Sequence, residues 1–198
     1  MIKCIIFDWG NVIKFYDNDK FRNIISRRFN IDKELFKQVE LKHRLKNDFG
    51  KITTEQYIEA IENELGIDKK EYSKLLFSKN FSNINKDLIK IIKNLKKNYK
   101  IFVLSNNNES AKKSITSHKI EHLFDKILFS YEVKIKKPDP RFFRKLLKGT
   151  KLKLFECVFI DDREDNVIEA MKLGMKGIIY TSNKKLLKDL KDSGISIK

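Results

Sequence analysis

The stretch KCIIFDW, residues 3–9, decides the fold class, because it is a short, near-continuous apolar run that ends close to an aspartate, Asp8. Four further runs of this kind follow: KIFVLSN (100–106), KILFS (126–130), CVFID (157–161) and KGIIYT (176–181). Runs without polar alternation are typical of strands that are covered on both faces, as in a parallel sheet. We therefore expect five parallel strands at the centre of the protein.

Helical patterns separate these runs, at 86–98, 108–118, 138–148, 164–173 and 183–192. In LIKIIKNLKK, for example, the apolar positions Leu88, Ile91, Ile92 and Leu95 have the spacing of one helix face. Strands that alternate with helices of this length indicate right-handed βαβ units. The predicted fold class is α/β, with a doubly wound, Rossmann-like parallel sheet.

The segment from 15 to 82 breaks this alternation. It contains no convincing strand and shows helical patterns near 18–29, 33–46, 54–65 and 69–78. A helix-capping threonine, Thr53 or Thr54, precedes the third of these patterns. We expect a helical subdomain over 15–82, inserted into a core that is built from 1–14 and 83–198.

Polar side chains stand at the ends of the predicted strands and in the loop after the third: Asp8, Ser105, Asn106, Asp161, Asp162 and the pair Lys136-Lys137. Ligands of open parallel sheets bind beyond the carboxyl ends of the strands, so these groups are expected to share one pocket. Three ionised carboxylates in one pocket need a cation, and their hard oxygen ligands favour Mg²⁺. A lysine and a hydroxyl group then suit a phosphate beside that metal.

Four segments resemble the motifs of the haloacid-dehalogenase superfamily, in the same order and spacing: IIFDWGNVI (5–13), VLSNNN (103–108), KKPDP (136–140) and VFIDDREDNV (158–167). The resemblance covers nearly the whole chain. Within the superfamily, the motifs are especially similar to those of bacterial sugar-1-phosphate phosphatases and of the phosphatase domain of soluble epoxide hydrolases. It implies the strand order 5-4-1-2-3, with the helical insertion as a helical-bundle cap. It also implies Mg²⁺-dependent hydrolysis of a small phosphorylated metabolite through an aspartyl phosphate.

The same resemblance implies residue roles. Asp8 would be the nucleophile, Lys137 would neutralise charge, and Ser105 with Asn106 would hold the phosphoryl oxygens. Mg²⁺ would be held by Asp8, the carbonyl of Gly10, Asp162 and Asp161, the last directly or through water, with Asn11 and Asn166 beside them. Substrate specificity would come from Phe15, Tyr16 and the 41–51 segment around Arg44.

Gly10 departs from the family pattern. Most phosphatases of the superfamily carry an aspartate there, which protonates the leaving group. Such acid–base help is typically worth about 10²–10⁴ in rate. Substrates whose leaving group needs little protonation, such as a sugar 1-phosphate or an acyl phosphate, are therefore expected to react best. Asn11, a water molecule or a cap residue are the candidate substitutes.

The net charge of +16 admits a nucleic-acid partner, because clustered lysines gain from counterion release. The lysines are, however, spread over almost every predicted helix, and no nucleic-acid motif is present, which favours a small anionic substrate. No apolar run approaches the roughly 20 residues of a membrane span. The expected protein is cytoplasmic, and a monomer or a homodimer.

Two other functions are open. A catalytically weak binding or regulatory protein would use the basic surface and would explain the lost acid at Gly10. A 2-haloacid dehalogenase would also use Asp8, but it needs no Mg²⁺, and the paired Asp161 and Asp162 argue against it.

Cys4 and Cys157 each precede an aspartate by four residues. If their strands are neighbours in the sheet, as the resemblance implies, the two cysteines lie side by side. We expect buried, reduced thiols.

Overall fold

The computed structural model describes residues 1–196, so the last two residues of the predicted core range lie outside it. The strands are β1 (Cys4–Phe7), β2 (Lys14–Tyr16), β3 (Ser82–Ile84), β4 (Lys100–Ser105), β5 (Lys126–Phe129), β6 (Cys157–Asp161) and β7 (Lys176–Ile179). Five of them form a parallel sheet in the order β5-β4-β1-β6-β7. Without the short β2 and β3, this is the predicted order, read from the opposite edge.

The helices are α1 (Asn18–Phe29), α2 (Lys33–Asp48), α3 (Thr54–Leu65), α4 (Lys69–Leu76), α5 (Lys86–Leu95), α6 (Glu109–Ser117), α7 (Ser130–Val133), α8 (Pro140–Leu147), α9 (Glu164–Lys172) and α10 (Asn183–Asp192). All but the short α7 correspond to helical patterns in the sequence. Within the part of the chain that the structure describes, no helix combines the length and the apolar character of a membrane span.

The start of α8 differs from expectation. The helical pattern at 138–148 predicts that the segment from Pro138 to Pro140 begins this helix, but only Pro140 stands at its first position. Asp139 caps the helix with its side chain, and Pro138 lies outside it, joined to Lys137 by a cis peptide bond. Proline suits the first helical position because its missing N–H has no partner there.

The central strand β1 is buried on both faces. Ile5 and Phe7 pack into one apolar cluster with helices α5 and α10, and Ile6 packs into a second cluster with Phe142 of α8. Full burial of such a side chain is worth about 1.5–3 kcal/mol. Helices therefore pack against β1 on both faces of the sheet, and the doubly wound α/β class is confirmed.

Helices α1 to α4 lie between β2 and β3 and have an apolar cluster of their own, centred on Phe36, Ile61 and Tyr72. The expectation that 15–82 holds no strand is wrong at its ends, because β2 and β3 pair there in antiparallel register. Three-residue strands are too short to show a periodic pattern. Thr53, the first of the two candidate caps, forms a capping box with Gln56.

Candidate active site

The parallel pairing of β1 with β4 and β6 brings the predicted site residues to one edge of the sheet. Phe7 is in register with both Val103 and Ile160, so the residues that follow these positions meet at the same level. Asp8 directly follows β1, and its backbone N–H donates to the carbonyl of Ile160 at 2.8 Å. The sequence-predicted residues Asp8, Ser105, Asp161 and Asp162 are thus brought together.

A buried ammonium group joins two of the carboxylates. Lys137 Nζ lies 2.7 Å from Asp8 Oδ1 and 2.5 Å from Asp161 Oδ2, and its residue is only 3% exposed. The neighbouring Lys136 is exposed, so Lys137 is the lysine of the site. Hydrogen bonds between charged groups are shorter and stronger than neutral ones, and here they fix the nucleophile candidate in place.

The side chain of Asn106 fixes the loop that carries Lys136 and Lys137, which we call the lysine loop. Its Nδ2 donates to the Lys137 carbonyl at 2.9 Å, and its Oδ1 accepts from the Lys137 N–H at 2.7 Å. Both polar atoms of the Asn106 side chain are therefore already hydrogen-bonded. The group of Asn106 that remains for a phosphate contact is its backbone N–H.

The two neighbouring aspartates have different surroundings. Asp161 is fully buried and accepts hydrogen bonds from Lys137, from the Arg163 N–H at 2.9 Å, and from Asn166 Nδ2 at 3.1 Å to each oxygen. Asp162 is only partly buried, and its Oδ2 accepts from Asn11 Nδ2 at 3.1 Å. Asp161 is therefore held inside the protein network, and Asp162 is the freer of the two.

The carboxylates fit a hard divalent cation. Asp8, Asp161 and Asp162 each offer an oxygen atom, and these atoms lie within 4.8 Å of one another. Lys137 supplies a single positive charge against three acidic groups, which leaves an excess of negative charge at the strand ends. Oxygen donors in this number and charge are the kind of ligand that Mg²⁺ prefers.

Burial and the neighbouring charges set the protonation of these groups. Burial raises the pKa of Asp8 to about 6, although the charge of Lys137 lowers it. Burial also raises the pKa of Asp162 above its ordinary value. For Lys137, burial disfavours the charged form, but Asp8 and Asp161 outweigh it and raise the lysine pKa. The ammonium group is therefore charged at neutral pH.

The site opens into a cavity of 1080 Å³ that is lined by the sheet edge and by the helical insertion. Arg44 lines it as predicted, with its Nε 3.0 Å from Glu40 Oε1, and so does Tyr16. Phe15 was expected there, but its side chain points elsewhere: it is 41% exposed and is not among the described lining residues. Alternation along the three-residue strand β2 puts adjacent side chains on opposite faces.

Sequence reasoning did not single out several ionisable residues of this cavity, among them Lys14, Glu40 and, at the end of α2, Asp48. Asn108 Nδ2 donates to its Oδ1 at 2.8 Å, and the Ser130 hydroxyl donates to its carbonyl. Burial raises its pKa to about 6. An aspartate at a helix end is unremarkable in a chain with 27 acidic residues, so the sequence carried no signal for it.

Several known proteins are similar to this chain. Residues 19–180 match the family model of the haloacid dehalogenase-like hydrolases. The D-ribitol-5-phosphate phosphatase of Bacteroides thetaiotaomicron is 25% identical over 191 residues, which cover 89% of this chain and 90% of that protein. Flavin mononucleotide hydrolase 1 of Arabidopsis thaliana is 39% identical over 62 residues, 31% of this chain, and the match spans only a quarter of the plant protein's length.

The fold is also found in solved structures. A HAD family enzyme from Bacteroides thetaiotaomicron superimposes with a TM-score of 0.83 at 24% identity, covering 94% of this chain and 98% of the other. The wild-type form of that enzyme in complex with magnesium and inorganic phosphate gives a TM-score of 0.79, over 92% of this chain and 96% of the other. The family match spans most of the chain, including the last three of the four motifs, and confirms the resemblance to the family, so the protein belongs to the haloacid dehalogenase-like hydrolases.

Proposed function

We propose that this protein is a Mg²⁺-dependent phosphatase that hydrolyses the phosphate ester of a small sugar or sugar alcohol through an aspartyl phosphate. The observation that carries the proposal is the position of Lys137 between Asp8 and Asp161, beside the freer carboxylate of Asp162. This arrangement combines a buried nucleophile with positive charge for a phosphoryl group.

In this mechanism an Asp8 oxygen attacks the phosphorus atom and the bond to the leaving oxygen breaks. Lys137 offsets the charge that the phosphoryl oxygens bring into the pocket, and Ser105 with the Asn106 amide binds those oxygens. The residues that would hold Mg²⁺ are Asp8, the Gly10 carbonyl, Asp162 and Asp161, with Asn11 and Asn166 orienting the aspartates. Bound Mg²⁺ would supply further positive charge beside the phosphate.

We assign residues 15–82 to a cap and residues 1–14 with 83–198 to the catalytic core. Arg44 and Asp48 of α2 line the cavity that contains Asp8, which supports a role for the insertion in substrate recognition. Closure of such a cap excludes water from a reactive aspartyl phosphate.

The substrate class rests on the cavity and on the relatives. Basic groups such as Lys14, Arg44 and Lys86 line the cavity together with tyrosine side chains, which suits an anionic, hydroxylated molecule. The Bacteroides relative that matches over most of its length is a D-ribitol-5-phosphate phosphatase. A panel of sugar 1-phosphates and sugar-alcohol phosphates would identify the substrate. We place the enzyme in the cytoplasm, as a monomer or a homodimer.

The absence of an aspartate at position 10 favours one other function, a catalytically weak binding protein on the same scaffold. Hydrolysis of 4-nitrophenyl phosphate with Mg²⁺, and its loss in EDTA, separates the two. Asp8→Asn should abolish turnover, whereas Asp87→Asn, at an exposed position of α5, should leave it unchanged. No Mg²⁺-dependent turnover by the native chain, with salt-sensitive RNA binding instead, would overturn the phosphatase proposal.

A further inference from the structure

Because position 10 is a glycine, the usual aspartate that protonates the leaving group is missing. The side chains next to Gly10 do not replace this acid. A Cβ atom at Gly10 would lie 4.0 Å from Asp8 Oδ2 and 4.0 Å from Tyr16 Cε2. The Tyr16 ring therefore borders the position of the missing side chain. Its hydroxyl accepts a hydrogen bond from Trp9 Nε1 at 3.2 Å, and burial raises its pKa to about 12. A phenol with so high a pKa is a poor acid at neutral pH.

Asn11 is no better as an acid. Its Nδ2 donates to Asp162, and an amide does not exchange a proton with a leaving group in this pH range. The remaining candidates for this proton are the carboxyl groups that line the cavity from other elements, Asp17, Glu40 and Asp48. Asp17 caps α1, and Glu40 is paired with two arginines.

We propose that Asp48, from the helical insertion, is the general acid and base of this enzyme. The proposal rests on the proposed phosphatase function and names the residue that completes it. Asp48 and Asp8 line the same cavity, and Tyr16 lines it with them.

The position of Asp48 is set by the loops of the phosphate site. Asn108, which holds the carboxylate at 2.8 Å, lies three residues after Ser105 in the loop that follows β4. Ser130, which donates to the Asp48 carbonyl, directly follows β5. Asp48 is thus tied to the edge of the sheet at which Asp8 stands, although it belongs to the inserted helices.

The surroundings of Asp48 suit proton transfer near neutral pH. Arg44 and Glu40 face it from α2, Lys136 from the lysine loop and Tyr16 from β2. Burial raises the pKa of Asp48 to about 6, while Arg44 lowers it and Glu40 raises it further. At pH 7 about a tenth of such carboxyl groups are protonated, roughly a hundred times the fraction for an ordinary aspartate.

The proton balance closes over the two steps. An Asp8 oxygen bonds to phosphorus, the bond from phosphorus to the substrate oxygen breaks, and that oxygen takes the proton of the Asp48 carboxyl group. In the second step, Asp48 takes a proton from water as the water oxygen bonds to phosphorus. The Asp8–phosphorus bond then breaks, inorganic phosphate leaves, and both aspartates return to their starting state.

The test compares two leaving groups in Asp48→Asn, which keeps an oxygen to accept from Asn108. Turnover of ribitol 5-phosphate, whose alkoxide leaving group needs a proton, should fall by about 10²–10⁴. In the first turnover of 4-nitrophenyl phosphate, the release of nitrophenolate, which leaves unaided, should slow by less than about tenfold. The second step should slow equally for both substrates, because Asp48 also activates the water there. The decline in alkyl phosphate turnover above about pH 6 should disappear, and Asp87→Asn should behave as the native chain.

A rescue variant separates chemistry from folding. Gly10→Asp places a carboxyl group at the usual family position, and in the Asp48→Asn background it should restore alkyl phosphate turnover at least about tenfold. Equal losses of leaving-group release in the first turnover of both substrates, or no loss on either, would overturn the role of Asp48. Loss of 4-nitrophenyl phosphate hydrolysis in Asp8→Asn tests the phosphatase proposal independently, so the two failures are distinguishable. If Asp48→Asn does not fold, Asp48→Ser, which also lacks the carboxyl group, provides the same comparison.

Discussion

Cys4 and Cys157 are register partners on the adjacent parallel strands β1 and β6, and both are fully buried, free thiols. They stand four residues before Asp8 and Asp161, and so the same register that aligns the cysteines aligns the two carboxylates that share Lys137. The expected side-by-side position of the two cysteines on neighbouring strands is confirmed.

These thiols should be slow to react in the native protein. The hydrogen bond with Cys157 and burial raise the pKa of the Cys4 thiol, and a thiol reacts as its thiolate. Titration with a thiol reagent should count close to none in the native protein and two in denaturant. A rapidly reacting thiol in the native protein would contradict the register of β1 and β6.

Asp161 and Asp162 should differ in what their removal does. Asp161→Ala leaves the buried donors of Asn166 and Lys137 without this acceptor and should lower the free energy of unfolding by about 1–3 kcal/mol. Asp162→Ala removes one hydrogen bond from Asn11 and should lower it by less than about 1 kcal/mol. Its main effect should be a higher Mg²⁺ concentration for half-maximal activity. A larger loss of stability in Asp162→Ala, with a larger effect of Asp161→Ala on the Mg²⁺ requirement, would contradict these roles.

Two glycines offer a matched steric comparison. A Cβ at Gly177 would lie 2.6 Å from Val167 Cγ1 and 2.7 Å from Met171 Cγ, where β7 packs on α9. Gly177→Ala should therefore destabilise the protein by about 1–3 kcal/mol. Gly10→Ala meets only contacts of 4.0 Å and should stabilise it by about 0.4–1 kcal/mol. Denaturant unfolding measures the stability of both variants. A destabilised Gly10→Ala would show that the space around Gly10 is too small for a methyl group.

Asp48 should make stability depend on pH. Its pKa is raised from 3.8 to about 6 by burial, so the folded chain binds more protons than the unfolded chain between these values. Stability from this group is therefore lost as pH rises from about 4 to 6, and the loss persists above that range. Asp48→Asn, which does not ionise, should be more stable than the native chain at pH 8 by about 1–3 kcal/mol.

The comparison at lower pH supplies the control for this effect. At pH 5 the native carboxyl group is largely protonated in the folded state, so the advantage of Asp48→Asn should be clearly smaller than at pH 8. An advantage that is equal at both values would mean that the side-chain contacts of Asp48, and not its charge, set the difference.

The apolar runs and helical spacings by themselves determined the five-stranded sheet and nine of the helices, and they predict a helical insertion over 15–82. These features follow from local periodicity, because each strand or helix must bury its own apolar face. The strand ends then placed Asp8, Ser105, Asp161 and Asp162 at one edge, since parallel strands meet there. The family motifs added Lys137, which the structure puts between two of these carboxylates.

Only the tertiary structure decided what depends on side chains far apart in the chain. Asn11 meets Asp162 across 151 positions, and Asn108 holds Asp48 across 60. No periodic pattern records such contacts, because the first depends on how the loops after β1 and β6 meet and the second on how the inserted helices dock on the sheet edge. Burial at that junction raises the pKa of Asp48 to about 6, and so the fold, and not the local sequence, gives a helix-end aspartate of this cavity a pKa well above the ordinary value.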